Sequence, residues 1–128
     1  MGPWLVFATL INEGTIALYE GIPTKREFVE FVQNAEVTIL GIVPSIVKVW
    51  RNTKCMQGLD WLKIKAFSST GECSNADDYA YLMSLAHNRP VIEYCGGTEI
   101  GGGYLTQTLL QKATPATFST PSLGLDFL

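Results

Sequence analysis

The sequence predicts an α/β fold: a mostly parallel sheet with helices on both faces, leading at its C-terminal end into an incomplete β region. Helix-like and strand-like stretches alternate four times with short joins, the pattern of strands linked by helical crossovers. Two strand-like runs, Leu62–Phe67 and Val91–Cys95, open into glycine-bearing polar loops. Charged residues make up only 16% of the chain, against about 25% in an ordinary domain, while 47% is hydrophobic. So little charge fits a chain covered on more than one side, either the inner part of something larger or a compact α/β unit.

Pro3 suits a first helical position and Gly14 a helix stop, so the mostly apolar Trp4–Asn12 is expected as a helix packed on a sheet. Thr15–Tyr19 reads as a first strand, closed by Glu20-Gly21-Ile22-Pro23. Thr24 and Glu27 have capping-box spacing, and Phe28, Phe31, Val32 and Ala35 share one helical face. Val37–Val43 is nearly unbroken apolar sequence, as in a strand covered on both faces. Pro44-Ser45 starts a short helix through Trp50, and Asn52–Gly58 is a polar link to the third strand, Leu62–Phe67. Ser74 or Asn75 caps the next helix, with Asp77 and Asp78 in its positive first turn and Tyr79, Leu82, Met83 and Ala86 on its inner face. Pro90 stops it, and Val91–Cys95 is the fourth strand.

Right-handed crossovers put all strand-to-helix loops at one edge of such a sheet, the carboxyl edge where open α/β sheets bind ligands. Ser68-Ser69-Thr70-Gly71-Glu72 and Gly96-Gly97-Thr98-Glu99 both belong to that edge. Residues 1–103 form this unit. Residues 104–128, rich in Thr, Ser and Pro and ending Gly-Leu-Asp-Phe-Leu, read as the start of a β-rich segment cut in mid-strand. An edge so apolar is a liability in a free-standing protein.

The net charge of −3 and the scattered Lys and Arg residues, with only Lys25-Arg26 adjacent, exclude a protein that tracks a nucleic-acid backbone. No apolar run reaches the length of a membrane span. The first residues lack a signal peptide's basic segment and cleavage site, and Pro3 and Phe7 do not fit a myristoylation motif. Cys55, Cys73 and Cys95 make neither a disulfide framework nor a metal knuckle, which suits a reducing intracellular compartment, cytoplasmic or peroxisomal. His87 falls at a helix end, where a capping or surface role suffices. Trp4, Phe28, Phe31 and Trp50 have the spacing of core residues.

The chemistry concentrates on Thr98 and Glu99. Flanking glycines let backbone N–H groups approach an anion, Thr98 can donate to a phosphate oxygen, and Glu99 can hold a hard cation such as Mg²⁺. The same residues also read as an exposed, helix-starting turn. Neither a P-loop nor a G-x-G-x-x-G motif is present.

Phe67-Ser-Ser-Thr-Gly-Glu72 followed by Tyr94-Cys-Gly-Gly-Thr-Glu-Ile-Gly-Gly102 resembles the core of the adenylate-forming (acyl-activating) enzymes, closest to acyl-CoA synthetases of the acetyl-CoA synthetase branch. Met1-Gly-Pro-Trp4, Ala17-Leu-Tyr-Glu-Gly21 and Gly41-Ile-Val-Pro-Ser45 resemble that branch in the same order, so the likeness covers nearly the whole chain. It implies ATP-dependent conversion of a small-molecule carboxylic acid to an acyl-adenylate and pyrophosphate, then transfer to CoA. The chain would then be a subdomain of a large adenylation domain, partnered by the rest of that domain and by a C-terminal domain. Thr98 would contact the α-phosphate and Glu99 would bind Mg²⁺, as the catalytic pair. Thr70, Gly71, Glu72, Glu93, Tyr94, Cys95, Gly96 and Gly97 would line ATP or AMP, with Gly71-Glu72 along the adenine and Thr70 at the acyl end.

Two departures stand out. Cys95 and Gly96 replace aromatic residues of many relatives, which leaves base stacking there to Tyr94 or to nothing. Gly96 also leaves volume where small-acid members close the acyl pocket with a ring. The resemblance thus implies an acid larger than acetate, and Gly96→Trp is expected to shift the complete enzyme to short acids. The family's phosphate loop, ribose-binding Asp, Arg and catalytic Lys find no counterpart among these residues, so the chain is not expected to catalyse alone. Two other classes stay open: a non-catalytic α/β nucleotide- or effector-binding module, and a truncated product that acts only as an interaction partner.

Overall fold

A computed structural model describes residues 2–126. Among them a single five-stranded sheet runs in the order β1-β2-β3-β4-β5. Strands β1 (Ile39–Ile42), β2 (Ala66–Ser69) and β3 (Val91–Gly97) are parallel, in the register Ile42↔Ser69↔Glu93. Strands β4 (Gly102–Thr106) and β5 (Thr120–Pro121) add antiparallel to β3. The expected α/β class is therefore present, and the β region begins as a hairpin on the last parallel strand. Phe127 and Leu128, the end of the expected cut strand, lie outside the described residues.

Helices α2 (Arg26–Asn34), α3 (Pro44–Thr53) and α4 (Ala76–Ser84) cover one face. Strand alternation sends Leu40, Ile42, Phe67 and Val91 into one cluster with Val29, Val32, Val47, Trp50, Tyr79 and Leu82, all buried. Helix α1 (Gly2–Ile11) meets the opposite face through Trp4, edge-on to Tyr94 at 6.0 Å. It ends in a Schellman motif, Gly14 N–H to Thr9 C=O and Glu13 N–H to Leu10 C=O. Glu13, not Gly14, takes the left-handed conformation, at φ 53°.

Several expectations need correction. Thr15–Tyr19 forms no strand. Its aromatic end packs instead on α2, Tyr19 lying 5.1 Å from Phe28 and 5.2 Å from Phe31, and among the described residues the outer edge of β1 has no strand partner. The Thr24/Glu27 capping box is not used. Lys25 is the N-cap, without a side-chain bond, and Arg26 instead ties α2 to the Cys55 and Gln57 carbonyls at 2.8 and 2.6 Å. On α2 the buried residues are Val29 and Val32, with Phe28 and Phe31 half-buried and Ala35 exposed. Strand β1 is covered on one face only: Ile39 is 65% exposed. Leu62–Phe67 yields its first residues to a turn, because pairing with β1 begins at Ile39↔Ala66. Ser68 and Ser69 are consequently strand, not loop.

Asn75 caps α4 as expected, its Oδ1 accepting from the Asp77 and Asp78 N–H groups at 2.9 and 3.2 Å. Asp78 pairs with Arg51 of α3 at 2.8 Å, which fastens the two helices together. His87 sits on the surface with Nε2 3.1 Å from Asp60 Oδ1. Among the described residues no helix is long and apolar enough to cross a membrane.

Candidate functional site

Strand β2 ends at Ser69, opposite Glu93, while β3 continues four residues further to Gly97. The two loops of interest therefore leave the same edge at different heights. At about 3.3 Å per residue, the Thr98 turn stands roughly 10 Å beyond the Gly71 turn along the strand direction.

The lower loop is strapped down. Gly71 adopts φ 92°, which lets the chain turn back toward α3. Both Glu72 carboxylate oxygens then accept from Ser45, one from its N–H and one from its hydroxyl, at 2.9 Å each. Pro44 opens α3, so the carboxylate sits at that helix's positive end. Two stretches singled out in the sequence, Gly41–Ser45 and Gly71-Glu72, thus meet through one bidentate contact. Glu72 is committed to holding the loop.

Glu93 is buried, 6% exposed, on the helix-covered face. Its Oε2 has no hydrogen-bond partner among the described residues. Close by, Tyr79 shares a hydrogen bond with Ser69, and burial, reinforced by the Glu93 charge, pushes the Tyr79 phenol up to about 12. Gln107 completes the cluster: its N–H donates to the Glu93 carbonyl at 2.9 Å, and its side-chain Oε1 accepts from the Glu93 N–H at 3.3 Å. Nothing in the sequence marked Gln107, a single amide in a Thr-rich stretch, as a buried partner of β3. Tyr94 points to the other face, against Trp4, where burial raises its phenol above the ordinary tyrosine range. Its ring belongs to the α1 contact and is not turned toward Cys95.

The upper loop is a hairpin of backbone on backbone. A Cβ on Gly96 would lie 2.1 Å from the Gly102 carbonyl oxygen and 2.5 Å from Gly103 Cα. This changes the meaning of Gly96→Trp: the ring cannot enter without displacing β4, so a shift in acid preference would not report pocket volume alone. Gly97 leaves room for the Glu99 carboxylate, which folds back to where a Cβ would stand, 2.2 Å from Oε1. Thr98 and Glu99 form a single 3₁₀ turn with Ile100, both exposed, closed by the Gly101 N–H to the Thr98 carbonyl at 3.2 Å. Cys95 Sγ lies 2.8 Å from the Tyr104 hydroxyl on β4.

Among the described residues no group of three or more His, Cys, Asp and Glu side chains could hold a metal ion. A Mg²⁺ at Glu99 would take its remaining ligands from phosphate and water, its common mode of binding. The two best-formed clefts lie elsewhere. One, about 240 Å³, borders Pro90, Val91, Thr108 and Leu109 at the start of β3, and the other, about 280 Å³, borders Val32, Trp61 and Ile64. The candidate site is an open edge.

Solved CoA ligases share this fold. The chain superimposes with a TM-score of 0.77 on an anthranilate CoA ligase, AuaEII, solved with anthranoyl-AMP, over 87% of this chain and 21% of that one, at 15% identity. It matches a luciferase-like enzyme of the mealworm Zophobas morio with a TM-score of 0.65 over 77% of this chain and 23% of that one, at 18% identity. At such identities the likeness is one of fold. In sequence, it is 54% identical over 124 residues to the probable acyl-activating enzyme 17, peroxisomal, of Arabidopsis thaliana, and 52% identical over 124 residues to the hexanoyl-CoA synthase of Cannabis sativa. Each match covers 97% of this chain and 17% of the relative. An acetyl-coenzyme A synthetase of Photobacterium profundum is 26% identical over 132 residues, 95% of this chain and 20% of that protein. No family model matches. Over nearly its whole length the chain is thus similar to one segment of adenylate-forming, acyl-activating enzymes, and it spans 17% of the length of these two curated relatives.

Proposed function

We propose that the chain supplies the nucleotide-facing edge of an ATP-dependent acyl-CoA synthetase. In the whole enzyme a carboxylate oxygen of the acid attacks the α-phosphorus of ATP, the bond to the β-phosphate breaks and pyrophosphate leaves. The CoA sulfur then attacks the acyl carbon, and AMP leaves with the carboxylate oxygen. The observation that carries this reading is a 54% identity extending over 97% of the chain, with both polar loops at one carboxyl edge.

Thr98 donates to the α-phosphate, and the N–H groups of the glycine hairpin add preorganised dipoles. Glu99 would hold Mg²⁺, which supplies neutralisation of the phosphate charge when bound. The Gly71-Glu72 backbone runs along the adenine, kept in place by Ser45, with Thr70 toward the acyl end and Glu93 beside the base. The relatives named for hexanoyl-CoA and for peroxisomal enzymes support an acid larger than acetate and a peroxisomal setting. Residues 1–103 are the α/β unit and residues 104–128 lead into the next β segment. The rest of the adenylation domain and a C-terminal domain are its partners. A chain spanning 17% of its relatives' length supports weak nucleotide binding and no turnover alone.

An amide NMR titration with ATP and Mg²⁺ tests this. Shifts are expected at Gly71, Gly97, Thr98 and Glu99, reduced by Thr98→Val and Glu99→Gln. A titration to millimolar ligand that left those amides unmoved would reject the reading.

A further inference from the structure

Tyr104 is where β4 departs from its pairing. As β3 steps from Cys95 to Gly96, β4 steps back from Leu105 to Gly103, so Tyr104 is the extra residue of a bulge. A bulge bends its strand and re-aims the side chain that lacks a cross-strand partner. Here the phenol is held at its tip by Cys95 Sγ at 2.8 Å, and the Tyr104 carbonyl accepts from the Ser122 N–H at 3.0 Å. With both ends held, the residue is still 40% exposed. On one side of the bulge the paired residues, Gly96 with Gly103 and Gly97 with Gly102, carry no side chains. Tyr94, the other aromatic of the hairpin, is occupied by Trp4 on the far face.

The geometry points to Tyr104 as the aromatic platform on which the nucleobase stacks, held in position by the Cys95 thiol. A tethered, neutral, planar ring with exposed surface suits a flat π-system better than a flexible acyl chain. This inference rests on the nucleotide reading above. It assigns Tyr104, a residue that the sequence did not single out.

The experiment uses the 128-residue chain with two ligands, ATP and its base-free counterpart ribose 5-triphosphate, each with Mg²⁺, followed by NMR. ATP is expected to shift the Tyr104 ring resonances and give cross-relaxation between that ring and the adenine protons. Tyr104→Leu should weaken ATP about tenfold and leave ribose 5-triphosphate unchanged, whereas Tyr104→Phe, which keeps the ring, should stay within about threefold. Cys95→Ala, which frees the ring, should fall between. Equal ATP affinity in the wild-type and Tyr104→Leu chains overturns the platform and leaves the nucleotide site standing. Equal loss of both ligands marks a structural role and also overturns it. A wild-type chain that binds neither ligand overturns the nucleotide reading and this inference together.

Discussion

On the α2–α4 side of the sheet, aromatic rings run in an unbroken line. Tyr19 meets Phe28 at 5.1 Å, Phe28 stacks on Trp50 at 5.9 Å, Trp50 meets Trp61 edge-on at 5.7 Å, and Trp61 reaches Phe67 at 6.1 Å. The indole N–H groups there are partnered too: Trp50 donates to the Pro23 carbonyl and Trp61 to the Val29 carbonyl. The α1 side is the reverse. Phe7 is 66% and Ile11 80% exposed, and Leu5, Val6 and Leu10 are also open. One side therefore has the packing density that stabilises a domain, while the other presents apolar surface of the kind that marks an interaction face. Stability and recognition are segregated across a single sheet, and each side should respond to different perturbations.

The largest effect is expected from the aromatic line. Trp50→Ala removes the ring that touches both Phe28 and Trp61 and leaves two apolar walls unsupported, at a cost of about 3–5 kcal/mol. Chemical denaturation should show it as near-complete loss of the folded state. A midpoint unchanged by that substitution would mean the covered side does not dominate stability.

High pH probes the polar part of the same side. The unfolded chain ionises its tyrosines from their ordinary 10, while folded Tyr79 keeps its proton to about 12. Stability should thus be flat below that window and decline as pH climbs through it, by on the order of 2 kcal/mol from this group. Tyr79→Phe should flatten the decline, read as unfolding free energy against pH.

Gly96→Ala tests the hairpin. Its Cβ has no room against the Gly102 carbonyl, so β4 must move, costing about 1–3 kcal/mol. The amide shifts of Gly102–Thr106 should change while those of α2 and α3 stay, which would sharpen the division between the two sides.

The smallest change in stability belongs to α1. Phe7→Ser with Leu10→Gln should leave the unfolding free energy within about 0.5 kcal/mol per site, since both side chains are already in water. Self-association and hydrophobic-dye binding should both fall. A large loss of stability instead would show α1 to be part of the core and remove the contrast.

Much of the fold was legible because local rules and tertiary packing agreed. Asn75 caps α4, Pro44 opens α3, Tyr79, Leu82 and Ala86 are buried, and β3 follows Pro90, each for a reason contained within a few residues. The polar loops at the carboxyl edge were legible for the same reason, since glycine beside a hydroxyl and a carboxylate signals a turn wherever it is placed. What local pattern could not decide was partnership. Thr15–Tyr19 has strand composition but finds its neighbour in α2, and Leu62–Phe67 loses its beginning because β1 sets where pairing starts.

The same division runs through the site. Sequence alone named its residue types: one hydroxyl, one carboxylate and flanking glycines, at the end of a strand. Only the tertiary structure decided which groups are taken, tying Glu72 to Ser45, Tyr94 to Trp4 and Gln107 to Glu93, and turning Tyr104 outward through a bulge. The physical reason is range. Propensity and capping act within a turn of the chain, whereas bond partners and register depend on residues far apart in sequence whose meeting no short window encodes.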